Sequence, residues 1–240
     1  MSRAIYLRIA GYLVTILLHG GNLMVVTRPP SKEVLEDIRI RKFSEMQFRY
    51  LTSWTFTLQI VYGVIGLVCD LLTLKNSKTR DYKLPKYVKG FRDTLFAGIV
   101  WPSSLVVFIF FWCVFIYDRS LVYPDFLDKV LSPVSNHIMH TAILPIVLWE
   151  ILFQPRTKPQ SHMRYFAHMT FHFAFYLGVL IYTYVEKGIW LYPILKEFYG
   201  TMKFPLMCLC VYVLASVSYY LQWILPSFVS VPEKTKKKHR

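Results

Sequence analysis

Thr94–Tyr117 reads TLFAGIVWPSSLVVFIFFWCVFIY and contains no Asp, Glu, Lys, Arg or His. Coiled as a helix rising about 1.5 Å per residue, it covers the roughly 30 Å of hydrocarbon in a bilayer. Five further apolar runs flank it: Ile5–Val26, Leu51–Leu74, His137–Phe153, Tyr165–Val185 and Phe204–Leu225. The chain of 240 residues is 55% hydrophobic and only 18% charged, which excludes an ordinary soluble domain. The expectation is an all-α membrane protein with about six transmembrane helices. The fourth run is the shortest, and Pro145 interrupts it, which neighbouring helices can accommodate. The first run is long, and no small-residue cleavage site precedes Arg28-Pro29-Pro30, so it reads as an uncleaved span.

The net charge of +14 raises nucleic-acid binding, but the basic residues sit in loops between spans, so no nucleic acid is expected. With six spans the termini share one side. That side carries Arg3, the cluster from Lys75 to Arg92, Arg156, Lys158, Arg164 and the tail from Lys234 to Arg240. The positive-inside rule then places both termini in the cytosol. The reading is a single polytopic membrane domain over 1–240, ending in a basic cytosolic tail over 226–240. Lys237 and Lys238 stand fourth and third from the end, a dilysine-like pattern that points to the endoplasmic reticulum, with the plasma membrane as the alternative. Between the first two spans, Arg28–Tyr50 mixes acids and bases and reads as a short polar surface helix, with Ile38 and Phe43 dipping into the interface. Cys69, Cys113, Cys208 and Cys210 fall inside spans, without metal-ligand spacing or a disulfide framework.

Polar residues inside apolar spans need a reason. Asn136-His137-Ile138-Met139-His140-Thr141 opens the fourth span, and its two imidazoles share one helix face. Tyr50-Leu51-Thr52-Ser53-Trp54-Thr55 opens the second span from the same side of the membrane. If the two helices are neighbours, a hydroxyl meets an imidazole, the minimal activated nucleophile. Thr52, Ser53, Thr55 and Thr57 are equal candidates on spacing alone, and a threonine in such a helix commonly back-bonds to its own turn. Asn136, backbone amides at the N-terminus of the fourth span or Arg49 could stabilise an oxyanion. His137 and His140 with His168 and His172 do not suggest a metal: the two pairs lie near opposite surfaces, about 20 Å apart at 1.5 Å per residue. Glu150, Asp70 and Asp93 lie toward the cytosolic ends of their spans, Glu150 within reach of Arg156 or Lys158. His19 and Gln59 read as packing donors.

The whole chain resembles the androgen-induced and androgen-dependent transmembrane proteins (the FAR-17a/androgen-induced class). Phe48-Arg49-Tyr50-Leu51-Thr52, with Gln59 beyond it, is similar to the family's segment opening the second span. Asn136 to Thr141 is similar to its Asn-His-x-Met-His-Thr signature. Tyr117-Asp118-Arg119 with Val122-Tyr123-Pro124 and Leu127-Asp128, and Gly188-Ile189-Trp190-Leu191-Tyr192-Pro193, resemble its two later loops. Phe48 stands where the family usually has Trp, and the first loop and the tail are more charged. The resemblance implies a hydrolase of fatty acid esters of hydroxy fatty acids, working without a cofactor or metal. Its nucleophile falls on Thr52 and its histidine on His140. A lipid substrate would enter from the bilayer, with its carboxylate near Arg49 or Arg119, while Asn136 or His137 orients His140. A non-catalytic membrane protein that binds lipid or sterol, or that signals, is the alternative.

Overall fold

A computed structural model describes residues 3–77 and 82–229, which are helical and contain no strand. Lys78, Arg80 and the tail residues Lys234 to Arg240, including the Lys237-Lys238 pair, lie outside the described residues. Helix α1 covers Arg3–Val26; α2 (Lys32–Leu35) and α3 (Ile38–Met46) follow it; α4 covers Leu51–Lys75. Next come α5 (Lys86–Leu95), a wide turn over Phe96–Val100 and α6 (Trp101–Asp118), then α7 (Pro133–His140) and α8 (Ile143–Phe153). Finally α9 covers Met163–Lys187, α10 Pro193–Phe198 and α11 Lys203–Val229. Six segments are long and apolar enough to cross a membrane: α1, α4, α5–α6, α7–α8, α9 and α11. The protein is a multi-pass integral membrane protein.

Two spans depart from the boundaries expected from apolarity. The third begins at Lys86, where Tyr87, Phe91 and Leu95 interleave with charge, and it widens into a π turn over Phe96–Val100. Pro102 cannot donate to the preceding turn, and a single wide turn absorbs the defect. Gly98 lies within this turn, where an added Cβ would sit 3.0 Å from the carbonyl oxygen of Tyr165, so glycine lets α9 come close. The fourth span begins at Pro133 and breaks at Thr141-Ala142. Both amides of that pair turn back to the carbonyl of His137, at 2.8 and 2.9 Å. Pro145, without an N–H, leaves the carbonyl of Thr141 to Leu144 at 3.2 Å. The break follows His140 directly. At the other end of the chain, α11 continues through Pro226, past the expected start of the tail.

The bundle inverts soluble-protein logic. Arg8, Tyr12, Thr15, His19 and Asn22 recur every three or four residues on one face of α1, and that face is the inward one, while Leu13, Val14, Leu17 and Met24 point outward. On α4 the facing stripe is Thr55, Gln59, Tyr62, Gly66 and Asp70. Arg8 forks onto Asp70 at 2.7 and 2.9 Å and reaches the carbonyl of Phe153 at 3.2 Å. Tyr12 fits because residue 66 is glycine: a Cβ there would lie 2.5 Å from its ring. The Tyr12 hydroxyl donates to Glu150 at 2.8 Å, as does that of Tyr62, and Arg156 closes the cluster on Glu150 at 2.7 Å. His19 donates through Nε2 to Gln59, whose amide donates to Ser104 at 2.8 Å and to the carbonyl of Ile143 at 2.9 Å. Such bonds bind helices where apolar surface cannot, because lipid tails already solvate it.

At the end of the bundle away from the termini, α3, the 119–131 loop and α10 form a cover. Ser31 caps α2 and Asp37 caps α3 through backbone amides. Asp37 accepts hydrogen bonds from the exposed Arg39, which hold its carboxyl down at about 2. Ile40 is fully buried, Phe43 turns inward to line a cavity, and Ile38 is half exposed on the outer surface. Leu127 and Leu131 from the loop, with Ile194 and Leu195 from α10, complete the roof. Cys69 is buried, whereas Cys113 and Cys210 sit on the outer surface; none is paired.

Candidate functional site

The backbone at Tyr50 is extended, which stops the turn over Gln47–Arg49 and starts α4 at Leu51. Thr52 is therefore the second residue of a 25-residue helix, on its inward face near the roof. His140 is the last residue of α7, at the break of the fourth span. The Thr52 hydroxyl and His140 Nε2 are 3.2 Å apart. The other ring nitrogen, Nδ1, lies 2.8 Å from Asn136 Oδ1 and 3.1 Å from the Asn136 carbonyl. A carbonyl only accepts, so Nδ1 carries the proton. Nε2 is then left with its lone pair, and Thr52 donates to it. Phe111 stacks on the imidazole at 3.5 Å between centroids and 10° between planes, which fixes the ring. His140 is 6% exposed.

Geometry separates the four hydroxyls that spacing left equal. Ser53 donates to the carbonyl of Gln47 at 2.6 Å. Thr55 is buried against α1, and its hydroxyl has no hydrogen-bond partner among the described residues. Thr57 faces outward. Thr52 is the one that meets an imidazole.

A cavity of about 370 Å³ opens in front of this pair. Val106, Val107, Phe110 and Phe111 of α6 form one wall, and Phe173, Leu177 and Leu180 of α9 another. Val211 and Tyr212 of α11 form the side, and Phe43, Leu127, Leu131, Ile194 and Leu195 the roof. Among the described residues no Lys, Arg, Asp or Glu lines it. Such a space suits acyl chains, with Thr52 and His140 as its reactive polar point.

The remaining expected site residues fall in different places. Asn136 is buried behind His140 and orients it. His137 is exposed on the opposite flank, stacked on Trp112 and 3.1 Å from the Thr141 hydroxyl. Arg49 pairs with Glu186 at 2.7 Å and with Thr183 at 3.2 Å, outside the cavity wall. Arg119 is held by Asp128 at 2.7 Å over the Tyr123 ring, also outside it. His168 Nδ1 donates to the carbonyl of Arg164 in its own helix at 2.7 Å, and His172 packs by Trp54, so neither approaches His140.

Two residues of the site escape a reading of residue types alone. Tyr176 of α9 and Tyr192, just before α10, both reach the backbone amide of Leu51, at 2.8 and 3.1 Å, and both line the cavity. The only signal for them was that Tyr192 lies in the Gly-Ile-Trp-Leu-Tyr-Pro loop. Tyr176 is one of 17 tyrosines and carries no local mark.

Replacing Asn136 by Leu removes one of the two acceptors on Nδ1 and keeps the backbone one. If the pair hydrolyses a lipid ester, turnover is expected to fall about five-fold, the equivalent of one hydrogen bond of about 1 kcal/mol, with KM unchanged. Steady-state kinetics on purified variant checks it; an unchanged rate removes Asn136 from the site.

Residues 24–225 match the family described as FAR-17a/AIG1-like protein. Androgen-dependent TFPI-regulating protein of Mus musculus is 35% identical over 157 residues, 65% of this chain and 66% of that protein. Its Homo sapiens counterpart is 33% identical over 151 residues, 63% and 64% of the two chains. Androgen-induced gene 1 protein of Homo sapiens is 29% identical over 154 residues, 62% and 64%. The matched stretches thus span under two thirds of the length of each of these relatives. No solved structure matches the chain. The six-span bundle and a match running from the end of α1 to the end of α11 lead to one assignment: the chain belongs to the FAR-17a/AIG1-like family.

Proposed function

We propose that the protein is an integral-membrane hydrolase of fatty acid esters of hydroxy fatty acids, with Thr52 as nucleophile and His140 as base. The observation that carries this reading is the 3.2 Å contact between a threonine hydroxyl and an imidazole nitrogen whose lone pair is directed by Asn136, at the wall of an apolar cavity. Thr52 Oγ attacks the ester carbonyl while its proton passes to His140 Nε2. Collapse of the tetrahedral intermediate breaks the bond to the hydroxy fatty acid oxygen, which takes that proton from His140. Water then attacks acyl-Thr52, again giving a proton to Nε2, and release of the second fatty acid restores the hydroxyl. The uncharged wall favours the two acyl chains. The substrate carboxylate stays at the membrane interface, because the arginines nearest the cavity are already paired.

The test is covalent labelling of membranes with a fluorophosphonate probe, alongside hydrolysis of a branched fatty ester. Wild type is expected to label and to turn over; Thr52→Ala is expected to do neither while eluting as a folded protein in detergent. A folded Thr52→Ala variant with wild-type turnover overturns the reading. Retention of lipid binding in a wild type that neither labels nor hydrolyses favours a binding protein instead.

A further inference from the structure

An ester hydrolase needs hydrogen-bond donors aimed at the negative oxygen of the tetrahedral intermediate. Two of the side-chain donors do not fill this role. Asn136 is committed to His140, and Arg49 is committed to Glu186. The tyrosine pair next to Thr52 remains.

A count of protons defines what the pair can do. The Leu51 N–H points at both phenol oxygens, 2.8 Å from Tyr176 and 3.1 Å from Tyr192. A phenol oxygen accepts that bond and keeps its own hydrogen to donate. The two phenol oxygens are 3.0 Å apart, so one of the two hydroxyl hydrogens lies between them. The other has no acceptor among the described residues. It sits on a ring that lines the cavity, beside the residue that precedes the nucleophile. Packing holds the pair in place: Tyr176 meets the edge of Trp54 at 5.2 Å and Tyr192 that of Tyr50 at 5.3 Å. Burial raises the pKa of Tyr192, which keeps it a protonated donor. The first-turn amide of Thr52 has no carbonyl one turn earlier within α4 to bind, and the positive end of the helix dipole adds to it.

We propose that the Tyr176–Tyr192 pair donates its spare hydroxyl hydrogen to the oxyanion formed at Thr52, with the Thr52 amide as second donor. The proposal rests on the Thr52/His140 hydrolase reading. It also has a signature of its own. Removing either hydroxyl leaves the remaining one with its hydrogen free to donate, so one donor survives in each single variant. Tyr176→Phe and Tyr192→Phe are each expected to slow turnover by about ten-fold or less, and the double variant by about 10²–10³-fold, the typical loss for an oxyanion donor. KM is expected to stay constant in all three.

The double variant also uncaps Leu51, so loss of fold must be separated from loss of donor. Incorporation of mono- and difluorotyrosine at position 176 or 192 keeps the geometry and strengthens the phenol as donor. A kcat that changes steadily with phenol acidity at either position, at constant KM and thermal midpoint, is the expected result. A flat series at both positions in an active wild type overturns the oxyanion role and leaves the Thr52 assignment standing. A wild type without turnover or Thr52 labelling overturns both.

Discussion

His140→Ala is expected to lower ester turnover by about 10³–10⁴-fold, within the range that general-base catalysis contributes. Two costs combine in that figure. The Thr52 hydroxyl loses its proton acceptor, and at its own pKa threonine is a poor nucleophile. The cavity also loses the group assigned to protonate the departing oxygen. His140→Gln tests the distinction between base and spacer, since an amide can accept from Thr52 but cannot carry a proton onward; it is expected to be as inactive as alanine. Fluorophosphonate labelling at Thr52 is expected to fall in parallel. Phe111 loses its stacked partner in the alanine variant, which costs packing at 3.5 Å between ring centres. A thermal midpoint measured beside the rate separates a damaged core from a missing base. A folded His140→Ala variant within ten-fold of wild type removes the imidazole from the mechanism.

Glu150→Ala is expected to have the largest effect on stability, about 3–5 kcal/mol, the cost of stranding a buried charge. Glu150 accepts from Tyr12, Tyr62 and Arg156 in a buried cluster. The Arg156 side chain is 6% exposed and lies over the Phe96 ring at 3.8 Å. Without the carboxylate this guanidinium has no buried acid at hand, and two phenols that tie α1 and α4 to α8 lose their acceptor. The outcome is read as a lower thermal midpoint and an earlier transition in detergent. The double variant Glu150→Ala with Arg156→Leu is expected to regain part of the loss, because the uncompensated charge leaves with its partner. If Glu150→Ala alone is as stable as wild type, the cluster does not hold the spans together.

Both expectations depend on parts of the molecule that the amino-acid order reveals unequally. The spans were legible because hydrocarbon imposes a length and a polarity on any helix that crosses it, and Thr94–Tyr117 meets both without reference to the rest of the chain. The break in the fourth span was legible for an equally local reason, the missing N–H of Pro145. Glu150 finding Arg156 was foreseeable from six residues of separation at a helix end. Local order was silent on one point: Ile38 and Ile40 lie about 200° apart around a short helix, and packing of the roof selects Ile40 as the buried one.

Residue types and span parity placed two polar openings, at Thr52 and at His140, on one side of the bundle, and the family pattern singled those two residues out. The chain order could not say that α4 and α7 are neighbours, that Ser53 is spent on Gln47, or that Arg49 turns to Glu186 instead of the cavity. Side chains from helices far apart in sequence decide those outcomes. Tyr176 and Tyr192 meet Leu51 across separations of 125 and 141 residues. No periodicity in a linear sequence encodes a contact of that range, because it exists only after every span has chosen its partners.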